Sequence, residues 1–232
     1  MNVLYPEKPA ADQGTRQYRI FLVDDHPLVR ERLGELINRE TDMLVCGEAA
    51  DVAQAMDEIG KAKPDIVIVD LTLKNSHGLE LIKAIQATYP GVPVLVLSMH
   101  EESLYAERVL RAGALGYISK QEATEKVLTA IRHVLSGQVY LSEGMSERIV
   151  RKLVLGHRES AASMDRLTDR ELEVFQLIGK GLSTRRISEE LRVGIKTVES
   201  YRARIKQKLH LDDGTQLLQH ATQWVHSLEA RQ

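Results

Sequence analysis

Short apolar runs alternate with amphipathic stretches through the first 137 positions of the chain. The runs fall at Arg19–Val23, Met43–Gly47, Ile66–Val69, Val92–Leu97 and Leu115–Ile118. Between them, apolar residues recur at helical spacing over roughly 27–39, 51–62, 78–89, 101–112 and 122–136,. Leu28, Leu33, Leu36 and Ile37 mark one such stripe. Runs rich in Ile and Val, apolar on both faces, suit a parallel sheet covered by helices. Parallel strands need right-handed helical crossovers, so the pattern predicts an α/β, doubly wound five-stranded sheet over residues 19–137. Residues 1–18 carry no periodicity and read as a lead-in.

The pattern then becomes purely helical. A helix is expected over Ser142–Leu155, followed by a flexible linker at Gly156–Asp165, so that 138–165 joins two domains,. Thr168 and Glu171 have capping-box spacing and open a helix that closes at Gly179 or Gly181,. Ser183 can cap a second helix to Leu191, and Gly194 precedes a third, Ile195–Leu209. Asp213 and Gln216 have cap and N3 spacing for a fourth, ending near Val225,. Residues 166–226 thus form a small all-α four-helix domain.

Composition narrows the function classes. The net charge of −2 creates no global field for nucleic acid, so a basic footprint must be local,. The one cysteine, Cys46, lies in an apolar run and reads as an inert thiol in a reducing compartment,. No run reaches membrane-spanning length, and a cytoplasmic protein without a membrane partner is expected.

The candidate chemistry lies where strands stop. Asp24 and Asp25 follow the first run, Asp70 the third, Ser98 the fourth and Lys120 the fifth. Asp70 taken alone reads first as a turn or helix cap. With strand order 2-1-3-4-5, however, all five side chains line one crevice at the carboxyl edge of the sheet. Crowded carboxylates repel, and a hard divalent cation with oxygen ligands, Mg²⁺, relieves that repulsion. One carboxylate is then free to attack phosphorus, with a hydroxyl and an ammonium to receive the phosphoryl oxygens.

Val23-Asp24-Asp25-His26-Pro27, Asp70 with Gly78 beyond it, Ser98, and Gly116-Tyr117-Ile118-Ser119-Lys120 together resemble the receiver domain of bacterial two-component response regulators, the flavodoxin-like, CheY-type fold. The resemblance implies that Asp70 is the phospho-acceptor. It implies that Asp25, Asp70 and the Thr72 backbone carbonyl bind Mg²⁺ directly, with Asp24 acting through water. Ser98 and Lys120 would bond the phosphoryl oxygens, and Tyr117 would swing inward on activation; a strand aromatic packed in place is the alternative for Tyr117. Lys74, His77 and Gln121 depart from the broad pattern, standing where Pro, Asp and a cis Pro are frequent. A cis bond before Gln121 would cost about 3–4 kcal/mol, so a trans peptide is expected. Thr72 and His100 occupy the positions that tune dephosphorylation in the family.

In the helical domain, nine basic residues between Lys180 and His210 face three acids, a local excess of six positive charges. A short helix, a turn at Arg192-Val193-Gly194 and a longer helix present a recognition helix to a major groove. Leu167-Thr168-Asp169-Arg170-Glu171, Gly181-Leu182-Ser183, Lys196-Thr197-Val198-Glu199-Ser200-Tyr201-Arg202 and Lys208-Leu209 resemble a LuxR-type DNA-binding domain, and the whole chain is similar to NarL/FixJ-type response regulators. By that resemblance Glu199, Ser200 and Ala203 face base edges, while Lys196, Thr197, Arg202 and Lys206 approach bases or phosphates. Val174, Leu177, Ile178, Ile187, Leu191, Val198, Ile205 and Leu209 read as core. Gly194 replaces the usual Ser or Thr cap, at a cost of roughly a few tenths of a kcal/mol, and Arg186 breaks the usual box of the second helix. Leu217, Leu218, Ala221, Trp224 and Val225 give the last helix an apolar face, for dimerisation or for packing on its own domain,.

The resulting expectation is a transcriptional regulator, not an enzyme, that a sensor histidine kinase phosphorylates on Asp70. It binds promoter DNA and is a homodimer when phosphorylated or DNA-bound. An orphan regulator sensing something other than phosphate is one alternative. A phosphotransferase or phosphatase working through an aspartyl intermediate is another, but Thr72 stands where haloacid-dehalogenase-type enzymes want a second Asp, and no Walker loop is present,.

Overall fold

The computed structural model describes residues 17–73, 76–99, 102–155 and 164–229. Lys74, His100, most of the lead-in and most of the expected linker at 156–165 lie outside them. The chain divides between Ile149 and Val150 into two compact units.

The first unit runs β1 (Tyr18–Val23), α1 (Pro27–Asn38), β2 (Met43–Ala49), α2 (Val52–Ala62), β3 (Ile66–Val69), β4 (Thr72–Leu73), β5 (Ser76–His77), α3 (Gly78–Thr88), β6 (Val94–Ser98), α4 (Glu102–Arg111), β7 (Gly116–Ser119) and α5 (Ala123–Leu135). Five strands form a parallel sheet in the order β2-β1-β3-β6-β7, the expected 2-1-3-4-5 winding. On one face Ile20, Leu22, Ile68, Leu97 and Ile118 pack against Leu33 and Ile37 of α1 and Val127, Ala130 and Ile131 of α5. The alternate positions Phe21, Val67, Val69 and Val96 are buried too, so helices cover both faces and the strands lose any polar alternation,.

Two features have no counterpart in the apolar pattern. β4 and β5 make a small antiparallel hairpin, Thr72 opposite His77 and Leu73 opposite Ser76, too short to carry a periodicity. Beyond α5, Tyr140 joins the edge of β7. Its N–H donates to the Leu115 carbonyl at 2.9 Å, and its carbonyl accepts from the Tyr117 N–H at 2.9 Å. The Ser142 N–H then donates to Glu102 Oε1 at 2.8 Å, at the start of α6 (Glu143–Leu155). The pairing of this unit therefore continues past Gly137. Among the described residues no peptide is cis, Lys120–Gln121 included, and no helix is long and apolar enough to cross a membrane.

The second unit holds a 3-10 turn (Met164–Arg166), α7 (Asp169–Gly179), α8 (Thr184–Glu190), α9 (Ile195–Leu209) and α10 (Gly214–Glu229). The capping box forms: the Thr168 N–H donates to Glu171 Oε2 at 2.7 Å and the Thr168 hydroxyl accepts from the Glu171 N–H. Ser183 accepts from the Arg186 N–H at 3.3 Å, whereas Gly194 leaves α9 without a side-chain cap. Asp213 accepts from the Gln216 N–H at 2.8 Å, but the Gln216 amide reaches back to the Asp212 N–H. Val174, Ile178, Ile187, Leu191, Val198 and Ile205 are buried as expected; Leu177 and Leu209 are half-buried.

For the last helix the sequence leaves two readings open, and most of its apolar face takes the second, packing on its own domain. Leu217, Ala221 and Val225 are buried within their own unit, and Trp224 meets Phe175 at 5.4 Å between ring centroids. These side chains are spent on the domain core and leave only Leu218 of the expected apolar face well exposed. α7 and α10 approach so closely that a Cβ on Gly179 would lie 2.4 Å from the Ala221 carbonyl oxygen. Backbone cannot yield there as a flexible side chain would. Gly179→Val should therefore destabilise the helical unit by about 1–3 kcal/mol, read as a lowered midpoint of thermal unfolding; an unchanged midpoint would mean the crossing is looser than this.

Candidate functional site

Backbone hydrogen bonds carry the sheet register just past the strand ends. The Asp24 N–H donates to the Ala49 carbonyl at 3.1 Å, the Asp70 N–H to Val23 at 2.8 Å, and the Lys120 N–H to Ser98 at 2.9 Å. The residues expected on one rim are thereby held there. Asp24, Asp70 and Ser98 are buried, with Asp70 4% exposed. The Lys120 ammonium spans Asp24 Oδ2 at 2.5 Å and Asp70 Oδ2 at 2.7 Å. Ligand atoms of Asp24, Asp25, His26 and Asp70 all lie within 4.8 Å of one another. The Thr72 N–H donates to Asp70 Oδ1 at 3.3 Å. Such a carboxylate set fits a hard divalent cation in oxygen ligation.

The turn after Asp70 depends on one glycine. The Gly78 N–H donates to the Leu71 carbonyl at 2.8 Å, and a Cβ at Gly78 would stand 2.2 Å from the Asp70 carbonyl oxygen. No side chain fits, so α3 starts directly behind Asp70. The departure at His77 has a structural answer: its Nδ1 accepts from the Leu79 N–H at 3.2 Å and caps α3, the work an Asp would do,. The His77 ring stacks on the buried Tyr105 of α4 at 6.4 Å. The Tyr117 ring is already inside the fold.

In the second unit α9 turns Val198 and Ile205 into the core and leaves Lys196, Thr197, Glu199, Ser200 and Ala203 exposed. Arg202 and Lys206 are half-buried. Lys208 leaves the basic footprint, because its ammonium pairs with the buried Glu171 carboxylate at 2.6 Å. Burial works to raise that carboxyl, but Lys208 and the Thr168 donors outweigh it and hold Glu171 below its ordinary value.

Comparison with known proteins agrees with both halves. Residues 20–132 match the response regulator receiver domain, and residues 165–221 match the bacterial regulatory proteins of the luxR family. The oxygen regulatory protein NreC of Staphylococcus carnosus is 34% identical over 208 residues, covering 88% of this chain and 96% of NreC. This chain belongs to the LuxR-type response regulators. A LuxR-family two-component response regulator from Aurantimonas sp. is 36% identical in its crystal structure, with a TM-score of 0.55 over 60% of this chain and 99% of that one. The RcsB response regulator of Salmonella typhimurium is 25% identical, with a TM-score of 0.53 over 89% of this chain and 98% of RcsB. As a member of the family, the response regulator described here is a phosphorylation-dependent, DNA-binding transcription regulator of the two-component type.

Of two neighbours of the acidic rim, His26 is legible in the sequence only as part of the motif, and Arg30 escapes it. His26 Nδ1 lies 2.8 Å from Asp25 Oδ1 and 3.2 Å from Asp24 Oδ1. Arg30 donates from Nη1 to the Asp24 carbonyl at 2.5 Å and from Nε to Glu48 Oε2 at 3.0 Å, fastening the β1–α1 turn to the end of β2. On an amphipathic helix Arg30 looks like any solvated cation; the signal available was its place one turn after the acidic pair.

Electrostatics at the rim are unbalanced. Burial pushes the Asp70 carboxyl up to about 6 against the pull of the Lys120 ammonium, and the Asp24 charge adds to the push. Burial also works against the Lys120 charge, but Asp70 and Asp24 outweigh it and hold the ammonium above its ordinary range. A carboxyl raised on folding contributes stability that is full below its unfolded value, near 4, and is lost as pH rises through about 6,. In EDTA, Asp70→Asn should therefore be more stable than wild type at pH 7, by up to about 3 kcal/mol. The gap should close as pH falls toward 4. Thermal or urea unfolding across that range checks it, and a gap independent of pH would contradict the raised value.

Proposed function

We propose that Asp70 is the phospho-acceptor and that a sensor histidine kinase is the donor. The observation that carries the reading is the Lys120 ammonium, 2.7 Å from Asp70 Oδ2 in a pocket with two further carboxylates. An oxygen of the Asp70 carboxylate attacks the phosphorus of the donor's phosphohistidine, the P–N bond breaks, and the imidazole leaves with the electron pair and takes up a proton. Asp70 becomes an acyl phosphate. Lys120 shifts its hydrogen bond from the carboxylate to a phosphoryl oxygen, and the Ser98 hydroxyl donates to another. Asp24, Asp25, Asp70 and the Thr72 carbonyl would hold Mg²⁺, which supplies charge neutralisation to crowded carboxylates and incoming phosphate alike.

Phosphorylation adds roughly 1.5 to 2 negative charges, and Ser98 responds to it within a two-state receiver, while Tyr117, already buried, acts from a packed-in position and not by swinging inward,. Output is promoter binding by α9. Glu199, Ser200 and Ala203 face base edges; Lys196, Thr197, Arg202 and Lys206 approach bases or phosphates. The active form is a homodimer reading half-sites about one helical turn apart. The working boundaries are a receiver at 19–137, a linker at 138–165 and a DNA-binding domain at 166–226. The protein acts in the cytoplasm as a regulator and not as a turnover enzyme, since Thr72 offers no carboxylate to discharge the acyl phosphate.

Incubation of the full chain with acetyl phosphate and Mg²⁺ tests the acceptor. Wild type should be labelled and bind its promoter more tightly afterwards, while Asp70→Asn should show neither effect. Undiminished labelling of the variant would overturn the assignment.

A further inference from the structure

Along α9 the positions 195, 199 and 203 form one row at four-residue spacing, and all three are exposed,. The row reads Ile195, Glu199, Ala203: an aliphatic chain, an acid and a methyl, set in an otherwise basic helix. Ile195 is 48% exposed in the first turn of α9, while Val198 and Ile205, less than a quarter turn around the helix from it, are fully buried,. Ile195 is not among the buried core residues of the second unit.

The chemistry of this row restricts what it can meet. Phosphate repels Glu199, so its favourable seat in a groove is a base-edge donor, and the cytosine N4 amino group is the donor that suits a carboxylate. An aliphatic group on a DNA-facing surface has one apolar partner in the major groove, the thymine C5-methyl. Four residues of helix rise about 6 Å, and base pairs repeat every 3.4 Å or so, so neighbours in the row fall within about two base pairs of each other.

We propose that Ile195 is a specificity-determining residue that reads a thymine methyl, within about two base pairs of a cytosine read by Glu199. Ala203 offers a second, smaller methyl contact on the other side of that cytosine. The preferred half-site is thus thymine-flanked cytosine on one strand. This rests on the reading of α9 as the groove-entering helix.

The test uses the full chain after acetyl phosphate treatment, with random-sequence duplexes from which wild type, Ile195→Ala, Ile195→Val and Glu199→Gln each enrich sites. In the wild-type site, each thymine is then replaced by deoxyuridine, which removes the methyl alone. One such replacement beside the cytosine should weaken wild type by about fourfold, the worth of one methyl withdrawn from water. Ile195→Ala should bind the thymine site correspondingly less well and be indifferent to that replacement, with Ile195→Val intermediate. Glu199→Gln should relax selection at the cytosine while retaining the thymine. Ile195 is about half exposed, so thermal unfolding of each variant is compared with wild type, and Ile195→Val, which keeps the β-branch, should melt as wild type does.

If Ile195→Ala enriches the wild-type site and keeps wild-type sensitivity to deoxyuridine at every thymine, the proposal is overturned while DNA reading by α9 stands. If wild type itself enriches no sequence, the assignment of α9 fails and the proposal falls with it.

Discussion

Carboxylates crowded at the end of a buried sheet repel one another, and the ammonium of Lys120 is the charge that offsets them. It touches Asp24 and Asp70 at 2.5 and 2.7 Å, and all three side chains are almost wholly withdrawn from water. At that depth the attraction is screened far less than at a surface, and removing the ammonium would strand both acids. Asp70 nonetheless stays raised to about 6, so one ammonium does not fully compensate the site. A residual need for positive charge is what a phosphoryl acceptor that recruits a divalent cation requires. Resting geometry and chemistry therefore share a cause: an acidic rim under-neutralised by the protein alone.

The sheet delivers that rim at little conformational expense. Asp70 and Lys120 continue the hydrogen-bond register of β3 and β7 by a single residue. Gly78 lets α3 begin against the Asp70 carbonyl, and His77 caps that helix from below the site. Arg30 also donates to the Asp24 carbonyl. The acids are thus fixed through backbone contacts before any ligand binds.

How much of this was legible follows from the length scale of each signal. β-branched runs and helical stripes extend over many residues, so the five-stranded order and the four C-terminal helices could be read, with Asp24, Asp25, Asp70, Ser98 and Lys120 at the strand ends. The β4–β5 hairpin could not, since two-residue strands carry no period. Nor could the pairing of Tyr140 with β7, which rests on two backbone hydrogen bonds that any residue but proline at the donor positions can make. Charge misled in one place: Lys208 counts as part of a basic footprint until its partner Glu171, distant in sequence, is seen beneath it. Apolar pattern left another place open, because a stripe on α10 looks the same whether it faces a second copy or α7. The 2.4 Å approach of a Gly179 Cβ to Ala221 decides for α7 in most of that stripe.

The two units divide their residues by the same rule. In each, apolar side chains with geometric work to do are buried, and what remains at a strand end or on an outward helix row is free of folding duty. Glu171 and Lys208 tie the start of α7 to the end of α9, and Val198 and Ile205 fix its inner face. With pitch and roll of α9 set from inside, Glu199 and Ala203 of its outer row stay exposed. An isoleucine beside a glutamate there costs hydration and charge complementarity toward phosphate, and a compensating contact has to come from base edges. The rim at Asp70 follows the same logic: the groups least suited to the fold are those it holds most firmly.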